Sequence, residues 1–398
     1  MLNRVEYLRN SRNTFHKKSY KYPSLKERIE LLRSYRADGL LVAVHIYEKE
    51  DHGIFRYRVY NPYLLANLPH GDYRTVFFFK SEINDLMKVI HLTSIVVLVR
   101  AQMDRQIGSI IDKVKENQIP LVYDIDDYIF DISKLESLYK NQLGQENRGL
   151  DAERRRFVSV DEVISNSDRI TTTTNFLAKK LSDKYGDIVD LIPNTYNHKQ
   201  LTASGEGSML RKHFSDDAFI FGYFSGSYTH NKDLALILEA VERFLAKHKD
   251  AYFILGGAFK VVEELERLGD QVICLPLQNS IELQRIFGVI DLNLIPLVDT
   301  EFNNCKSQLK FFEAAISNIP CIASDIETYR EIATDNSRAI MLAKNNSEDW
   351  YNSFEKIYKD RSLRKNLSEE ALSYTQGHFS PKVLSESLTE HIENVYIN

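Results

Sequence analysis

The sequence predicts an α/β protein with two domains, each built on a parallel sheet with helices on both faces. Short apolar runs typical of buried strands alternate with longer helical patterns along the 398 residues. This alternation favours parallel sheets whose strands are joined through helices. The polar, glycine-containing stretch 197–217 divides the apolar runs into two sets of about six. A chain of this length accommodates two or three domains, each with its own core.

Six strands are predicted in each half of the chain. In the first half they are Leu40–Tyr47, Thr75–Phe79, Ser94–Arg100, Pro120–Asp126, Arg169–Thr174 and Val189–Pro193. In the second half they are Ala218–Ser225, Ala251–Gly256, Val272–Pro276, Leu292–Pro296, Pro320–Asp325 and Ala339–Leu342. We therefore expect two doubly wound domains, and a ligand cleft between them at the carboxyl ends of the strands, where open α/β sheets bind ligands.

The domain boundaries follow from these two sets. We expect a basic arm or helix over residues 1–39, a first domain over 40–200, a second over 201–378 and a terminal helix over 379–398. The terminal segment has an apolar stripe at helical spacing, formed by Val383, Leu384, Leu388, Ile392 and Val395. No short repeat or low-complexity tract is visible in the sequence.

The composition limits the classes of function. A net charge of −5 gives no sign of a nucleic-acid-binding protein. Three cysteines without a CxxC spacing argue for a reducing compartment and against a disulfide framework or a zinc site. The N-terminus lacks the apolar core of a signal peptide, and no window approaches the roughly 20 apolar residues of a membrane span. These observations predict a soluble, cytoplasmic protein.

Basic residues with interspersed aromatic residues are concentrated in residues 1–28. Such a segment can bind the inner face of an anionic membrane with about 1 kcal/mol per charge. The alternative is a solvated arm, or a helix packed on the first domain. The basic residues are Arg4, Arg9, Arg12, Lys17, Lys18, Lys21, Lys26 and Arg28.

The segment 302–325 carries the most informative pattern for function. Lys306, Lys310 and Glu313 are spaced by four and three residues, so on one helix they share a face. A pair of cations and an acid at a helix N-terminus suit a diphosphate and a ribose, because the helix end presents free N–H groups and a positive dipole. We therefore predict a nucleotide site that includes Lys306, Ser307, Lys310 and Glu313.

A second phosphate-binding segment follows the first strand of the second domain. Gly226 and Ser227 are small residues that allow the backbone to approach a phosphate, and His230 and Lys232 follow them. We predict all four as donor-binding residues. The alternative is a plain strand-to-helix turn in which Thr229 or Asn231 caps the helix.

Acidic residues cluster where the strand 120–126 ends. The candidates for catalysis are Asp124, Asp126 and Asp127, which would bind or orient an acceptor hydroxyl. Two other interpretations stay open, namely a helix cap and a D-x-D site for Mg²⁺ or Mn²⁺. Arg56, Arg58 and Arg100 also follow predicted strands of this domain, and each is a candidate contact for phosphate or acceptor or else a plain surface arginine.

These motifs resemble those of two-domain (GT-B) retaining glycosyltransferases of family 4, over about residues 40–398. Glu313 matches the second Glu of the E-x7-E pattern, residues 318–324 (NIPCIAS) match the strand after it, and residues 192–195 (IPNT) match the end of the first domain. Cys305 stands where the first Glu is expected. The K-S-x-x-K-x-x-E pattern and the Y-D-x-D-D run look more like the enzymes of bacterial rhamnan and O-antigen assembly.

The resemblance implies two Rossmann-like domains facing across a cleft, with the last helix crossing back to the first domain. It implies transfer of a sugar from a nucleoside-diphosphate sugar to a glycan or lipid-linked acceptor, with retention of configuration. No cofactor or metal is implied, because such enzymes usually neutralise the diphosphate with cations and helix dipoles. Two alternatives stay open: a nucleotide-sugar epimerase, and a non-catalytic glycosyltransferase-like subunit, which Cys305 would favour.

Overall fold

The computed structural model describes most of the chain. It covers residues 20–50, 53–66, 73–141, 149–206, 211–212, 214–226, 230–257, 259, 265, 267–333 and 339–397. These residues divide into two compact units. The first unit contains Tyr20–Thr195, the short segment Cys305–Ser307 and the chain from Ser380 on, and the second contains Tyr196–Asn304 and Gln308–Phe379.

The first unit is built on a six-stranded parallel sheet with the strand order β2-β1-β3-β4-β5-β6. Its strands are β1 (Leu41–Tyr47), β2 (Tyr73–Phe79), β3 (Ile95–Val99), β4 (Leu121–Asp124), β5 (Arg169–Thr172) and β6 (Val189–Leu191). Its helices are α1 (Leu25–Ala37), α2 (Asn61–Ala66), α3 (Ile83–Met87), α4 (Arg105–Glu116), α5 (Leu135–Asn141), α6 (Leu150–Ser165) and α7 (Asn175–Tyr185), and a π-helix spans Phe55–Tyr60. All five residues of β3 are buried, as expected for a strand covered on both faces.

The second unit has its own six-stranded parallel sheet, in the order β12-β11-β10-β7-β8-β9. Its strands are β7 (Phe219–Ser225), β8 (Ala251–Gly257), β9 (Val272–Leu275), β10 (Leu292–Ile295), β11 (Cys321–Ser324) and β12 (Met341–Ala343). Its helices are α8 (His198–Glu206), α9 (Asn231–Ala235), α10 (Leu238–Lys247), α11 (Ser280–Phe287), α12 (Glu301–Asn304), α13 (Leu309–Ala315), α14 (Glu327–Ala333), α15 (Ser347–Lys359) and α16 (Arg361–His378). The strand order reverses between β7 and β10, and such switch points are where doubly wound sheets bind ligands.

The structure confirms the predicted fold class and all twelve predicted strands, most of them shortened by one to three residues at an end. It also confirms that the last helix packs on the first unit. This helix, α17 (Pro381–Ile397), places Leu384 and Leu388 against Ile192. His391 and Asn394 of the same helix bind the carboxylate of Asp190 at 2.7 and 2.9 Å.

The basic N-terminal segment is only partly described, since residues 1–19 lie outside the described ranges. Arg28, predicted as one of its membrane-facing cations, is 2% exposed. Its guanidinium forms an ion pair with Glu82 at 2.7 Å and lies over the ring of Phe77. Arg28 is therefore a core residue of the first unit, which agrees with the alternative of a helix packed on the first domain and leaves this residue unavailable to a membrane.

Asp190→Asn is expected to destabilise the protein at neutral pH by about 1.5–3 kcal/mol, the range for hydrogen bonds to charged groups. Burial acts to raise the pKa of Asp190, but hydrogen bonds from His391 and Arg169 outweigh it and hold this pKa well below its ordinary value. A depressed carboxyl pKa stabilises the fold above the pKa of the unfolded chain, about 4, and this contribution is lost as the pH falls further.

Urea unfolding of wild type and variant at several pH values measures this effect. The stability difference between the two should therefore shrink below about pH 4. The exposed Asp183, replaced by Asn, is the matched control and should show a small difference at every pH. A difference for Asp190→Asn that is independent of pH would contradict the assignment.

Candidate functional site

Four charged side chains contact one another at the carboxyl edge of the first sheet. β3 and β4 are parallel neighbours, so their carboxyl ends lie at the same edge. Arg100 follows β3, Asp126 and Asp127 follow β4, and Lys306 belongs to the segment Cys305–Ser307 of the same unit. We refer to Arg100, Asp126, Asp127 and Lys306 as the charged cluster.

The cluster is held together by ion pairs and stays partly accessible. Arg100 donates from Nη2 to Asp127 Oδ2 at 2.8 Å, and its Nη1 lies 3.3 Å from Asp126 Oδ1. Lys306 Nζ lies 3.6 Å from Asp127 Oδ1. The four side chains are 11 to 23% exposed. A ligand can therefore reach the cluster, although its charges are largely shielded from water.

The two neighbouring carboxyl groups have different proton affinities. Burial and the nearby carboxylate of Asp127 raise the pKa of Asp126 to about 6, against the opposing effect of Arg100. Burial acts in the same direction on Asp127, but Lys306 and Arg100 outweigh it and hold the pKa of Asp127 below its ordinary value. Environments that separate the pKa values of two adjacent acids are typical of acid–base sites. Asp126 is suited to accept a proton near neutral pH.

Arg100 has an unusual backbone conformation. Its φ is +48°, in the left-handed region that residues with a side chain rarely adopt. Its N–H donates to the carbonyl of Asp124 at 2.9 Å, which holds the strained residue at the sheet edge. Such strain, of order 1–3 kcal/mol, tends to be retained at functional sites.

Asp124 does not belong to this accessible group. It is 3% exposed, and Arg58 binds both of its oxygens, from Nε at 2.9 Å and from Nη2 at 2.5 Å. Thr171 also donates to Asp124, at 2.7 Å. The structure therefore contradicts the prediction that Asp124 is catalytic, because its lone pairs are used inside the core.

Arg56 and Arg58 lie in the π-helix Phe55–Tyr60, and neither is a surface residue. Arg58 is 3% exposed and also donates to the carbonyl of Ile192 at 2.6 Å. Arg56 is 6% exposed, with its guanidinium 4.2 Å from the ring centre of Tyr57. The predicted contact of Arg58 with phosphate or acceptor is therefore wrong, because its guanidinium is bound inside the core. The predicted contact of Arg56 stays a prediction. Of the three arginine candidates, Arg100 is the one that contacts Asp126 and Asp127.

In the second unit, His230 and Asp233 form a buried pair beside the switch point of the sheet. β7 ends at Ser225, and His230 directly precedes the short helix α9. His230 Nδ1 lies 2.6 Å from Asp233 Oδ2. The other oxygen, Oδ1, accepts from the N–H of Val298, in the chain that follows β10, at 2.7 Å. The pair thus joins the ends of β7 and β10, the two strands between which the strand order reverses.

Lys310 is also directed at the end of β7. Its Nζ donates to the carbonyl of Phe224 and lies 5.1 Å from the ring centre of Tyr223. Glu313, one turn further along α13, is 7% exposed. The prediction that Lys306, Lys310 and Glu313 share one helix face is wrong for Lys306. The helix α13 begins at Leu309, and Lys306 precedes it. The seven-residue α13 therefore does not present Lys306 at its N-terminus.

The other predicted donor residues are placed as follows. Lys232 is exposed on α9, and Gly226 follows β7 with open space where a Cβ would lie. Ser307, in the first unit, accepts a hydrogen bond from Asn194 Nδ2 at 2.9 Å. Ser227 lies outside the described residues. These placements are compatible with the predicted roles and do not test them.

Two features of the described residues bear on metals and membranes. Within the described ranges, no group of three or more His, Cys, Asp or Glu side chains is arranged to hold a metal ion. The same ranges contain no helix with the length and apolar character of a membrane span.

Sequence reasoning missed Asp233 and Asn303. Asp233 is fully buried, and Asn303 donates to its Oδ1 at 3.3 Å. A spacing of three residues between His230 and Asp233 at the start of a helix is compatible with a side-chain pair, and this was the available signal. Nothing in the sequence indicated Asn303, which is 70 residues from Asp233.

Solved structures with the same architecture define the class of fold. Anabaena Alr3699/HepE in complex with UDP and glucose aligns with a TM-score of 0.63 at 12% identity, over 89% of this chain and 100% of that one. WaaG, a glycosyltransferase involved in lipopolysaccharide biosynthesis, aligns with a TM-score of 0.61 at 13% identity, also over 89% and 100%. The chain therefore has the GT-B fold of two-domain glycosyltransferases, as predicted. At these identities the likeness establishes the fold alone.

Sequence comparisons identify the second unit more closely. Residues 220–360 match the family described as Glycosyl transferases group 1, so this part of the chain is similar to the domain of that family. The protein named "Putative glycosyltransferase YtcC" of Bacillus subtilis (strain 168) is 19% identical over 272 residues, which are 61% of this chain. The match spans 66% of YtcC, just under two thirds of its length.

Proposed function

We propose that this protein is a glycosyltransferase that moves a sugar from a nucleoside-diphosphate sugar to a glycan or lipid-linked acceptor. One observation carries the proposal. The segment that matches the group 1 family also contains a strand end at which basic side chains lie. Residues 220–360 include β7 and α13, and there His230 and Lys310 lie at the end of β7. The complex of HepE with UDP and glucose supports a nucleoside diphosphate as the leaving group.

In this proposal the second unit binds the donor. Breaking the bond between the sugar and the diphosphate develops negative charge on the diphosphate, so cations placed there accelerate the reaction. Lys232, Lys310 and His230 would bind the diphosphate, and Gly226 and Ser227 would let the backbone approach it. Glu313 would hold the ribose hydroxyls. Lys306 and Ser307, which the sequence predicts as diphosphate contacts, belong to the first unit and stay predictions.

The charged cluster of the first unit would serve the acceptor. Asp126 would accept the proton of the attacking hydroxyl, since its raised pKa suits a base near neutral pH. Asp127 and Arg100 would hold Asp126 in position. Retention of configuration and a hexosyl or deoxyhexosyl group rest on the sequence resemblance, as does the rhamnan or O-antigen subtype. WaaG, which has the same fold and is involved in lipopolysaccharide biosynthesis, supports a role in bacterial surface glycans.

Location at the inner face of the cell membrane is also a proposal. It rests on the basic residues of segment 1–28, most of which lie outside the described ranges. Binding of the protein to vesicles with and without anionic lipid would test it.

Lys232→Ala is expected to weaken nucleotide-sugar binding by about 1.5–3 kcal/mol, the range for hydrogen bonds to charged groups, or roughly 10- to 150-fold. A thermal-shift screen with UDP, dTDP, GDP and CMP sugars selects the ligand, and isothermal titration measures the affinity. Lys344→Ala, an exposed lysine of the same unit, is the matched control. Equal affinities of wild type and Lys232→Ala, both folded, would remove the donor-site assignment.

Transfer is expected to persist in excess EDTA, because we propose that cationic side chains rather than a metal neutralise the diphosphate. In the first unit Arg100 and Lys306 already contact the carboxylates of Asp126 and Asp127. The measurement is product formation from the selected donor with and without EDTA. A complete loss that Mn²⁺ restores would identify these carboxylates as metal ligands and contradict the proposal.

If the protein is instead a non-catalytic subunit, a different result is expected in the transfer assay. Such a protein would bind a nucleotide sugar without releasing the nucleoside diphosphate in the presence of any acceptor fraction. Cys305, which is fully buried, is the feature that favours it. Release of nucleoside diphosphate that depends on Asp126 would exclude this alternative.

A further inference from the structure

We propose that the first unit binds one buried water molecule between His45 and His391, and that this water helps to fix the terminal helix α17 on the sheet. The site is a cavity of which the proposed function makes no use. Every residue that lines the cavity belongs to the first unit. The proposal can therefore be tested independently of sugar transfer.

The cavity has the size and the lining of a water site. It is bordered by residues of β1 to β5, the π-helix and α17, among others. It offers about 20 Å³ to the centre of a water-sized sphere, and roughly 10–15 Å³ of such space is enough for one water molecule. Purely apolar cavities stay dry, but half of the twelve residues that line this one are polar. These are His45, Arg58, Tyr73, Asp124, Thr171 and His391.

His391 brings an unpaired nitrogen to this cavity. The residue is 4% exposed, and its Nδ1 lies 2.7 Å from Asp190 Oδ2. The Asp190 carboxylate also pairs with Arg169 at 2.7 Å, so it is ionised and accepts the hydrogen of Nδ1. The other ring nitrogen, Nε2, is buried and has no hydrogen-bond partner among the described residues. His391 lines the cavity and Asp190 does not, so Nε2 is the polar atom that the ring can offer there.

His45 offers a second ring nitrogen to the same cavity. It lies in β1 and is 6% exposed. Its Nδ1 is 3.1 Å from the carbonyl oxygen of Arg58, which can only accept, so Nδ1 carries a hydrogen. Burial lowers the pKa of His45 to about 4, and His391 adds a small effect in the same direction. The ring of His45 is therefore neutral at pH 7, its Nε2 is an acceptor, and the ring of His391 is close enough to act on it.

One water molecule satisfies both nitrogens. Water can donate one hydrogen to Nε2 of His45 and the other to Nε2 of a neutral His391. If His391 is protonated, its Nε2–H donates to the water instead, so the site does not depend on the charge of His391. Arg58 also lines the cavity and is a third candidate partner, because four of its five N–H groups are used elsewhere. Those four bind Asp124, Ile192 and Asn194.

The position of the water gives it a structural role. His391 belongs to α17, and His45 belongs to β1, which has a neighbouring strand on each side. A water bound to both side chains therefore joins the terminal helix to the interior of the sheet. A buried polar atom without a partner costs free energy, so the water stabilises the docked helix in addition to its contacts with Asp190 and Ile192.

A high-resolution crystal structure of the wild-type protein tests the site directly. We expect density for one water within hydrogen-bonding distance, about 2.7–3.2 Å, of Nε2 of His45 and of Nε2 of His391. A cavity without such density, or a water bound to one of the two histidines alone, overturns the proposal.

Hydrogen exchange of the backbone amides of α17 tests the role in docking. His45→Asn keeps a side-chain donor near the place of Nδ1 and removes Nε2. We expect the amides of α17 to exchange roughly 3- to 10-fold faster, the effect of losing about one hydrogen bond. The amides of α4, none of whose residues lines the cavity, should keep their rates. His91→Asn, at an exposed histidine of the same unit, is the matched control and should change neither helix.

Two results contradict the docking role. One is an unchanged exchange rate in α17 of a folded His45→Asn variant, and the other is equal acceleration in α4 and α17, which is general destabilisation. If His45→Asn does not fold, the crystal structure of the wild type decides the question.

Discussion

Asp126→Asn is expected to lower sugar transfer at least about 100-fold, the scale of positioned acid–base groups. The substitution is isosteric, and Arg100 keeps its 2.8 Å hydrogen bond to Asp127. We therefore expect the melting temperature and the donor affinity to stay close to those of wild type. The measurement is turnover per folded molecule with saturating donor.

The same prediction has a pH signature. Asp126 acts as a base only when it is ionised, and its pKa is raised to about 6 by burial, with Asp127 adding to the rise. Wild-type turnover should therefore fall as the pH drops below about 6, and this limb should be absent in Asp126→Asn. Because the two carboxyl groups are neighbours, the apparent pKa describes the pair rather than one residue.

Asp131→Asn is the matched control, since Asp131 follows in the same segment. Its carboxylate accepts from the N–H of Ser133 at 3.0 Å and caps a short turn. Asparagine caps such a turn about as well as aspartate, so this change is expected to alter stability little and to leave turnover intact. Wild-type turnover in Asp126→Asn would mean that another group receives the proton of the acceptor.

Asp124→Asn is expected to act on stability, by about 3–5 kcal/mol, because removing one partner leaves the Arg58 guanidinium buried without its counter-charge. Both residues are 3% exposed and joined by two hydrogen bonds of 2.9 and 2.5 Å. The measurement is the free energy of unfolding in urea. Asp126→Asn, a few residues away, should change it little.

A double-mutant cycle tests the pairing itself. Buried ion pairs are often replaced by apolar residues of similar volume at little cost. The variant with both Arg58→Met and Asp124→Leu should therefore be more stable than either single variant. Arg58 also donates to the carbonyl of Ile192 and to Asn194, so part of the loss is expected to remain. A single Asp124→Asn variant with wild-type stability would show that the pair contributes nothing to folding.

The fold was predictable because a doubly covered parallel strand is an uninterrupted apolar run. β3 consists of five apolar residues, all buried, and such a run leaves few alternatives. The beginning of α13 was less predictable. Lysine, serine and glutamine occur in both turns and helices, so the spacing of Lys306 and Lys310 could not show that α12 ends at Asn304 and α13 begins at Leu309.

The candidate site was predictable in part. Parallel strands bring their carboxyl ends to one edge, so Arg100 after β3 and the acids after β4 could be expected to meet. The sequence could not show which of the three aspartates at the end of β4 is buried and which are accessible to a ligand. Asp124 is the last residue of β4 and is turned into the core, whereas Asp126 and Asp127 lie beyond the strand.

The sequence by itself determined the two sets of strands, the residues at their carboxyl ends and the resemblance to family 4 glycosyltransferases. These features can be predicted from the local pattern of polar and apolar residues, because this pattern indicates which faces of each helix or strand are buried. Only the tertiary structure decided which charges neutralise one another. Arg58 and Asp124 are 66 residues apart, Thr171 and Asp124 are 47 apart, and His391 and Asp190 are 201 apart. A buried charge requires a partner, but periodicity does not say which distant segment supplies it.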